Sequence, residues 1–258
     1  MTMRPEIDFG KTAQDYSQYR AGFPEAMYER LPAYGVGLAG QTILDIGTGT
    51  GTLARGFARR GCRVTALDRS WPLLQAGAQL DAQAGLTVRR LVGRAEAVGL
   101  AEQQFEVVAA GQCWHWFDRP RSAGEVGRLL RPGGRLLICH FDWLPRPGNM
   151  VAATEQLILK HNPAWHLGGG HGLYPAWLAD VAQAGFGQIE TFTFDLAVPY
   201  SPQAWRGRIR ASAGVAAVLP PAQVARFDAE LGTLLAAQFP DDPVLVPHRV
   251  FVLVCVVG

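Results

Sequence analysis

Short apolar runs alternate with amphipathic segments along this chain of 258 residues. Runs of this length, rich in Val, Ile and Leu, are typical of buried strands, and the segments between them carry helix-start signals or helical periodicity. Because strands and helices alternate, the pattern predicts a parallel sheet covered by helices on both faces. The first five strands are predicted at residues 43–46, 63–67, 86–92, 105–110 and 135–141.

Beyond residue 142 the same pattern continues less regularly. Helices are predicted at residues 150–160, 174–184 and 222–238, a sixth strand at 187–194 and a last strand at 246–255. The four residues Arg-Pro-Gly-Gly at 131–134 are expected to form a turn that ends a helix before the fifth strand.

The first strand runs into a glycine-rich turn, since residues 43–51 read Ile-Leu-Asp-Ile-Gly-Thr-Gly-Thr-Gly. Glycines at three positions let the backbone turn sharply and approach a ligand closely. The second strand ends at Asp68, where a carboxylate can accept both hydroxyls of a ribose. Together these features predict a site for a ligand with an adenosine end.

The spacing of the turn distinguishes between adenosine ligands. A dinucleotide fingerprint, G-x-G-x-x-G, needs its third glycine at position 52, where the chain has Thr52. Asp45 precedes the first glycine by two residues and would repel a pyrophosphate but attract an ammonium group. A nicotinamide-dependent oxidoreductase is therefore kept only as a lesser alternative.

Residues 44–51 resemble motif I of the class I S-adenosylmethionine-dependent methyltransferases, and the resemblance extends over about residues 8–142. It implies an α/β fold with a doubly wound, mostly parallel seven-stranded sheet, an antiparallel last strand and a helical lid insertion. It also implies S-adenosylmethionine as cofactor, S-adenosylhomocysteine as product, and in-line methyl transfer to a small-molecule oxygen, nitrogen or carbon nucleophile. A protein that binds this cofactor without transferring a methyl group remains an alternative.

The chain is expected to be one methyltransferase domain over residues 1–258. Within it, residues 1–35 would cover the cofactor with helices, 36–142 would form the cofactor-binding core, and 143–258 would complete the sheet and carry the lid.

The resemblance implies a set of cofactor contacts. Asp45 would lie beside the amino-acid end of the cofactor, and Ala95 with Glu96 at the adenine edge, although Glu96 is equally compatible with a solvated turn. Arg20 would offer its planar fork to the methionine carboxylate, or be an ordinary surface arginine. The expected cofactor-binding residues are Tyr16, Arg20, Asp45, Gly47, Thr48, Gly49, Gly51, Asp68, Arg69, Ala95, Glu96 and Gln112.

The segment after the fourth strand reads Gln-Cys-Trp-His-Trp-Phe-Asp and resembles a small-molecule branch that includes trans-aconitate-type methyltransferases. His115 is the candidate general base, because its pKa range suits proton transfer near neutrality. A histidine held in place by a backbone carbonyl explains this position equally well. Trp114 and Phe117 are expected to be core aromatics. The expected substrate-pocket residues are Tyr19, Trp116, Trp165, His166, Tyr174 and Arg206.

Composition and residue spacing bear on whether the protein binds a metal, a nucleic acid or a membrane. His161, His166 and His171 recur every five residues, a spacing that does not align side chains on a helix, and no metal is expected. A net charge of +2 without a basic run argues against a nucleic-acid partner. Neither a signal peptide nor an apolar stretch of the ~20 residues that span a membrane is recognisable, so no membrane association and a cytoplasmic location are expected. Monomer and dimer both remain open.

Overall fold

The computed structural model describes Tyr19 and residues 22–258. The chain divides into two compact units. The larger unit contains residues 22–141, 173–194 and 250–258, and the smaller unit contains residues 142–172 and 195–249 together with Tyr19. Tyr16 and Arg20 lie outside the described residues, and their expected roles stay predictions.

Seven strands form one mixed sheet in the order β3-β2-β1-β4-β5-β7-β6. β1 pairs in parallel with β2 and β4, β2 with β3, and β4 with β5. The predicted mostly parallel sheet with antiparallel last strands is confirmed. The bounds are β1 Thr42–Ile46, β2 Arg63–Asp68, β3 Arg89–Val92, β4 Phe105–Gly111, β5 Leu130–Trp143, β6 Phe186–Tyr200 and β7 Val244–Val257.

The order of the parallel strands reverses between β1 and β4, which are neighbours in the sheet but not in the chain. In open α/β sheets, ligands bind beyond the carboxyl ends of the strands at such a switch point. Here the glycine turn follows β1, and Gln112 and His115 follow β4. The topology of the larger unit therefore brings the two chemically rich segments of the sequence to one edge of the sheet.

Helices begin where the sequence supplies caps. Asp118, Asn149 and Ser201 each accept a hydrogen bond from the backbone N–H three residues ahead, which satisfies a donor of the first helical turn. The larger unit contains α1 Glu25–Arg30, α2 Thr52–Ala58, α3 Trp71–Gln83, α4 Arg119–Leu129 and α6 Pro175–Gln183. The smaller unit contains α5 Met150–His161, α7 Pro202–Arg210 and α8 Pro221–Gln238. No helix of the described residues combines the length and the apolar character that crossing a membrane requires.

Each unit has its own apolar core. In the larger unit, Val108, Ile138 and Leu253 from neighbouring strands pack together with the fully buried Trp114. Phe117 packs edge-on against Trp114, with 6.1 Å between ring centroids, as the sequence predicted for these two aromatic residues. The smaller unit is packed around Trp205 and other apolar side chains of α5, α7 and α8.

Three predicted boundaries are wrong. The sixth strand, predicted at residues 187–194, continues to Tyr200. Residues 131–134 are not a separate turn but part of β5, where a bulge shifts the register and Gly133 has a φ of 72°. β3 begins at Arg89 rather than at residue 86, because the Leu86 N–H donates to the carbonyl of Asp81 and thereby closes the end of α3.

Candidate functional site

The glycine turn after β1 is held in one conformation by backbone hydrogen bonds. Thr48 N–H donates to the carbonyl of Leu67 in β2 over 3.0 Å, and Gly51 N–H donates to the carbonyl of Thr48 over 2.9 Å. Gly47, with a φ of 64°, has no room for a side chain, since a Cβ would lie 2.9 Å from the Cys113 Sγ. The turn is therefore preformed, and it requires a glycine at position 47.

Asp68, at the end of β2, connects the glycine turn to the start of α3. Its Oδ2 accepts a hydrogen bond of 2.8 Å from Gly49 N–H, and its Oδ1 accepts one of 2.8 Å from Ser70 N–H. Each carboxylate oxygen keeps a further lone pair, which is what two ribose hydroxyls would need. Arg69, which lies between Asp68 and Ser70 in the sequence, is exposed.

Asp45 is buried beneath the same turn. Its Oδ2 accepts a hydrogen bond of 2.5 Å from Thr48 Oγ1, whereas its Oδ1 is buried and has no hydrogen-bond partner among the described residues. The pKa of this carboxyl is raised to about 7: burial is the main cause and the nearby Asp68 adds to it, while the Thr48 hydroxyl, the Ala54 backbone N–H and the Arg90 guanidinium act in the opposite direction. A buried acceptor without a donor fits a cationic donor group supplied by a ligand.

Gln112 adopts a strained backbone at the end of β4. Its φ of 58° lies in the left-handed region, which non-glycine residues seldom occupy. Its N–H donates to the carbonyl of Cys139, and its side-chain amide donates to the carbonyl of Phe141. Backbone strain of this kind is concentrated at functional sites, so it marks the exit of β4 as more than a connecting loop.

His115 is exposed and lies against a buried aromatic group. Its ring centroid is 4.4 Å from that of Trp116 and 5.2 Å from that of His140 in β5. His140 is buried, with ring centroids of Tyr174 at 4.6 Å and Trp177 at 4.9 Å. Sequence reasoning missed His140 because it interrupts an apolar strand and carries no motif. An imidazole in an otherwise apolar run near a strand's carboxyl end was the available signal.

Comparison with known proteins decides the family of this site. Residues 44–138, which include the glycine turn, Asp68 and His115, match a family described as a methyltransferase domain. Residues 44–138 belong to a class I methyltransferase domain. The resemblance to this class is confirmed, whereas the trans-aconitate-type branch stays a prediction.

Three known proteins illustrate the similarity. An uncharacterised methyltransferase of Mycobacterium tuberculosis is 38% identical over 131 residues, which are 50% of each chain. The demethylmenaquinone methyltransferase of Thermobifida fusca is 38% identical over 111 residues, covering 42% of this chain and 46% of that protein. The chain thus spans about half the length of the curated relatives it matches. A structure of the Haemonchus contortus phosphoethanolamine N-methyltransferase 2, in complex with phosphomonomethylethanolamine and S-adenosylhomocysteine, has a TM-score of 0.59 at 19% identity. The match covers 98% of this chain and 60% of that one.

S-adenosylmethionine is the cofactor of the methyltransferase domain. The residues fit it, because the unpartnered Asp45 Oδ1 suits its ammonium group and the Asp68 lone pairs suit its ribose. The backbone of the glycine turn would lie beside its methionine part.

The expected adenine-edge residues have structural partners of their own. Ala95 is buried. Glu96 Oε1 accepts a hydrogen bond of 3.2 Å from Asp118 N–H, and its Oε2 is 3.5 Å from the Arg94 Nε. Glu96 therefore anchors the start of α4 of the methyltransferase domain. Its contact with adenine stays a prediction.

The expected substrate-pocket residues are divided between the two units, and their shared pocket stays a prediction. Trp116 is exposed and Tyr174 is stacked on Trp177 in the larger unit. Trp165 is only 8% exposed and packs in the core of the smaller unit, whereas its neighbour His166 is exposed. Trp165 is thus a core residue of the smaller unit, which corrects its assignment to a lid surface.

Two further predicted pocket residues lie in the smaller unit. Tyr19 packs against α7 so closely that a Cβ on Gly207 would lie 2.2 Å from its ring. The Arg206 guanidinium donates two hydrogen bonds to Asp228 of α8, and Arg210 donates a third over 2.8 Å. Arg206 therefore already has a carboxylate partner within the smaller unit, and its contact with a substrate stays a prediction.

Two of the three evenly spaced histidines, His161 and His171, make separate contacts. His161 Nε2 lies 3.2 Å from the Glu230 Oε2, and the backbone carbonyl of His171 accepts a hydrogen bond from Arg249. Within the part of the chain that the structure describes, no group of three or more His, Cys, Asp or Glu side chains is arranged to hold a metal ion.

Proposed function

We propose that this protein transfers a methyl group from S-adenosylmethionine to a small-molecule nucleophile. One observation carries the proposal: a preformed glycine turn at the switch point of the sheet, with one buried acid beneath it and a second acid fixing its backbone. When bound, the cofactor supplies a sulfonium-activated methyl group. The contribution of the protein is to align the acceptor and to exclude water.

In this proposal, each residue of the turn has a separate task. Asp45 Oδ1 accepts a hydrogen bond from the ammonium group, and the Asp68 carboxylate holds the ribose while it keeps its bond to Gly49 N–H. Gly47 leaves the space that the Cys113 and Phe117 side chains occupy, which keeps the turn close to the end of β4. The two acids fix the cofactor at two points.

His115 is the proposed proton acceptor. It is exposed at the carboxyl end of β4, which is the edge where the glycine turn also lies. An imidazole nitrogen there can take the proton that an acceptor hydroxyl or amine releases when it is methylated. Trp116, 40% exposed beside it, offers an apolar surface to the acceptor.

Two observations bear on the chemical class of the methyl acceptor. The curated relatives include a demethylmenaquinone methyltransferase, and the net charge of +2 gives no electrostatic footprint for nucleic acid. Both observations favour a small organic molecule. We also propose that the enzyme acts in the cytoplasm, where this cofactor is made and used.

Binding and transfer can be tested separately. Calorimetric titration with S-adenosylhomocysteine tests binding, and Gly49→Val, which puts a branched side chain at a φ of 57°, is the control that should not bind. A methyl-labelled cofactor is then incubated with panels of phenols, carboxylates and amines. Binding followed by labelled product supports the proposal. Binding without transfer to any panel member supports the cofactor-binding alternative, and affinity for NAD in place of S-adenosylhomocysteine overturns the assignment.

A further inference from the structure

Two buried guanidinium groups share one carboxylate next to the glycine turn. The Asp81 carboxylate accepts hydrogen bonds from Arg90 Nε (3.0 Å) and Nη2 (2.6 Å), and its other oxygen lies 3.3 Å from Arg55 Nη1. Arg55 also donates to the carbonyl of Thr50, which lies within the turn. The side chains of Asp81 and Arg90 are 5% and 9% exposed, so this cluster has little access to water.

Arg90 reaches the glycine turn itself. A Cβ on Gly51 would lie 2.6 Å from Arg90 Nη2, and one on Gly77 in α3 would lie 2.4 Å from Arg90 Nη1. The guanidinium therefore fills the space that two glycines leave open. Its Nη1 is buried and has no hydrogen-bond partner among the described residues.

The sheet register aligns Arg90 with Asp45. Asp45 of β1 pairs with Ala66 of β2, and Ala66 pairs with Arg90 of β3. Residues paired directly across strands point to the same face of a sheet, so the two side chains share one face with only a methyl group between them. The backbones of Asp45 and Arg90 are two strand spacings, or about 10 Å, apart, and the long arginine side chain can extend across part of this distance.

The charges of this region do not balance without a ligand. Asp45, Asp68 and Asp81 provide three carboxylates, whereas Arg55 and Arg90 provide two guanidinium groups. When all five are ionised, one negative charge remains. The ammonium group of the cofactor would offset it, but a protein without Arg90 would carry a second uncompensated negative charge.

We propose that Arg90 is a positioning residue for the cofactor: its guanidinium, fixed by Asp81, keeps the Asp45 carboxylate ionised and thus able to bind the cofactor's ammonium group. The inference rests on the proposed contact between Asp45 and that ammonium group. It assigns Arg90 an electrostatic role that operates through Asp45, without a contact of its own with the ligand.

Other groups also face Asp45, and none of them supplies a positive charge. Tyr28 of α1 and the Cys139 thiol of β5 interact with its charge, and burial raises the pKa of both groups. Thr48 and the Ala54 backbone N–H of α2 interact with it as uncharged hydrogen-bond donors, and Asp68 repels its charge. Arg90 is therefore the cation that acts on Asp45 within the described residues.

The test compares two ligands over a range of pH. S-adenosylhomocysteine carries the ammonium group, and 5′-methylthioadenosine lacks the whole amino-acid end. Calorimetric dissociation constants are measured from pH 5.5 to 8.5 for the wild type, Arg90→Met and Arg90→Lys. Arg89→Met is the matched control, because it removes the same charge from the exposed neighbouring position of β3.

We expect the affinity of the wild type for S-adenosylhomocysteine to fall as the pH drops and Asp45 becomes protonated. In Arg90→Met the fall should occur about one pH unit higher, so that affinity is about fivefold weaker at pH 7 and about tenfold weaker at pH 5.5, and the difference nearly closes by pH 8.5. Affinity for 5′-methylthioadenosine should not change. Arg90→Lys and Arg89→Met should follow the wild type.

Three results would overturn the inference. Equal losses of affinity for both ligands at every pH would show that Arg90 only supports the shape of the turn. An unshifted profile in Arg90→Met would remove its electrostatic role. A flat profile in the wild type would instead show that the proposed Asp45 contact itself is absent. If Arg90→Met does not fold, Arg90→Gln provides the same charge change, and adding it to Asp45→Asn should cause no further loss.

Discussion

The Asp68 carboxylate accepts a hydrogen bond of 2.8 Å from the backbone N–H of Gly49. One acid thereby fixes the conformation of the turn and stands at the position expected to bind the ribose. Its second oxygen accepts from Ser70 N–H, so its removal would leave two backbone donors unpaired. The effects of turn geometry and of direct ligand contact can be separated by substitution.

Asp68→Ala should weaken the affinity for S-adenosylhomocysteine by ten- to a hundredfold, or about 1–3 kcal/mol, because both the ribose contact and the bond to Gly49 are lost. Asp68→Asn, which keeps one acceptor oxygen, should lose less. Calorimetric titration of both variants checks this order. Unchanged affinity in Asp68→Ala would contradict the ribose assignment.

Gly47→Ala should destabilise the fold by about 1–3 kcal/mol, because the added Cβ meets Cys113 and Phe117 at 2.9 Å and the backbone has a φ of 64°. Gly99→Ala is the matched control, since Gly99 has a φ of 74° but no atom within 4 Å of the added Cβ. Urea unfolding of the two variants separates steric clash from backbone strain. Equal losses in both would mean that the space around Gly47 is not restricted.

The stability of the ligand-free protein should fall as the pH rises from about 4 to about 7. Burial raises the pKa of Asp45 from its ordinary value of 3.8 to about 7, so the folded state binds a proton that the unfolded state has already released. The destabilisation of the folded state by the ionised Asp45 carboxylate is therefore absent below pH 4 and complete above pH 7. Asp45→Asn should remove it and raise the free energy of unfolding at pH 8 by about 2–4 kcal/mol while it weakens cofactor binding.

Urea unfolding at pH 5 and pH 8, without ligand, measures this effect. Asp241→Asn, at an exposed acid, is the control and should leave the pH dependence as it is in the wild type. If Asp45→Asn showed the same loss between the two pH values as the wild type, another group would have to be responsible.

His115→Ala should reduce turnover by about 10²–10⁴-fold if the imidazole accepts the acceptor's proton, with little change in the affinity for S-adenosylhomocysteine. The acidic limb of the pH–rate profile should disappear with it. His171→Ala, at an exposed histidine of the smaller unit, is the control and should leave turnover unchanged. Full turnover in His115→Ala with a true acceptor would leave this residue without a chemical role.

Arg206→Ala should leave the KM for the acceptor unchanged, because its guanidinium is already paired with Asp228. Stability should decrease by no more than about 1 kcal/mol, since the pair is partly exposed and Arg210 also contacts this carboxylate. Steady-state kinetics and thermal unfolding measure the two effects, with the exposed Arg226→Ala for comparison. A large rise in KM would instead show that Arg206 contributes to binding the acceptor.

The larger unit was predictable because its signals are local. The apolar runs of β1 and β2, the glycine spacing and the positions of Asp45 and Asp68 all lie within one stretch of sequence, and each has a direct structural meaning. The partners of Arg206 and His140 were not predictable in this way. Asp228 and Trp177 lie far from them in sequence, and only the packing of helices and strands brings them together.

The bulge in β5 illustrates a second limit. The sequence Arg-Pro-Gly-Gly is typical of a turn, but pairing with β4 extends the strand across it and moves the irregularity into the register. The local sequence correctly predicted that regular structure is interrupted at residues 131–134. Pairing with β4 determined that the interruption is a β-bulge and not a turn.

The chain passes between its two units five times, once between Tyr19 and residue 22 and then at residues 141–142, 172–173, 194–195 and 249–250. The smaller unit is therefore discontinuous in the sequence, and no single stretch of the gene encodes it. A chimaera that exchanges the smaller unit must replace residues 142–172 and 195–249 together with the segment around Tyr19, and three of its junctions fall inside β5, β6 and β7. Replacing only one of these segments would pack side chains from two different proteins into one apolar core.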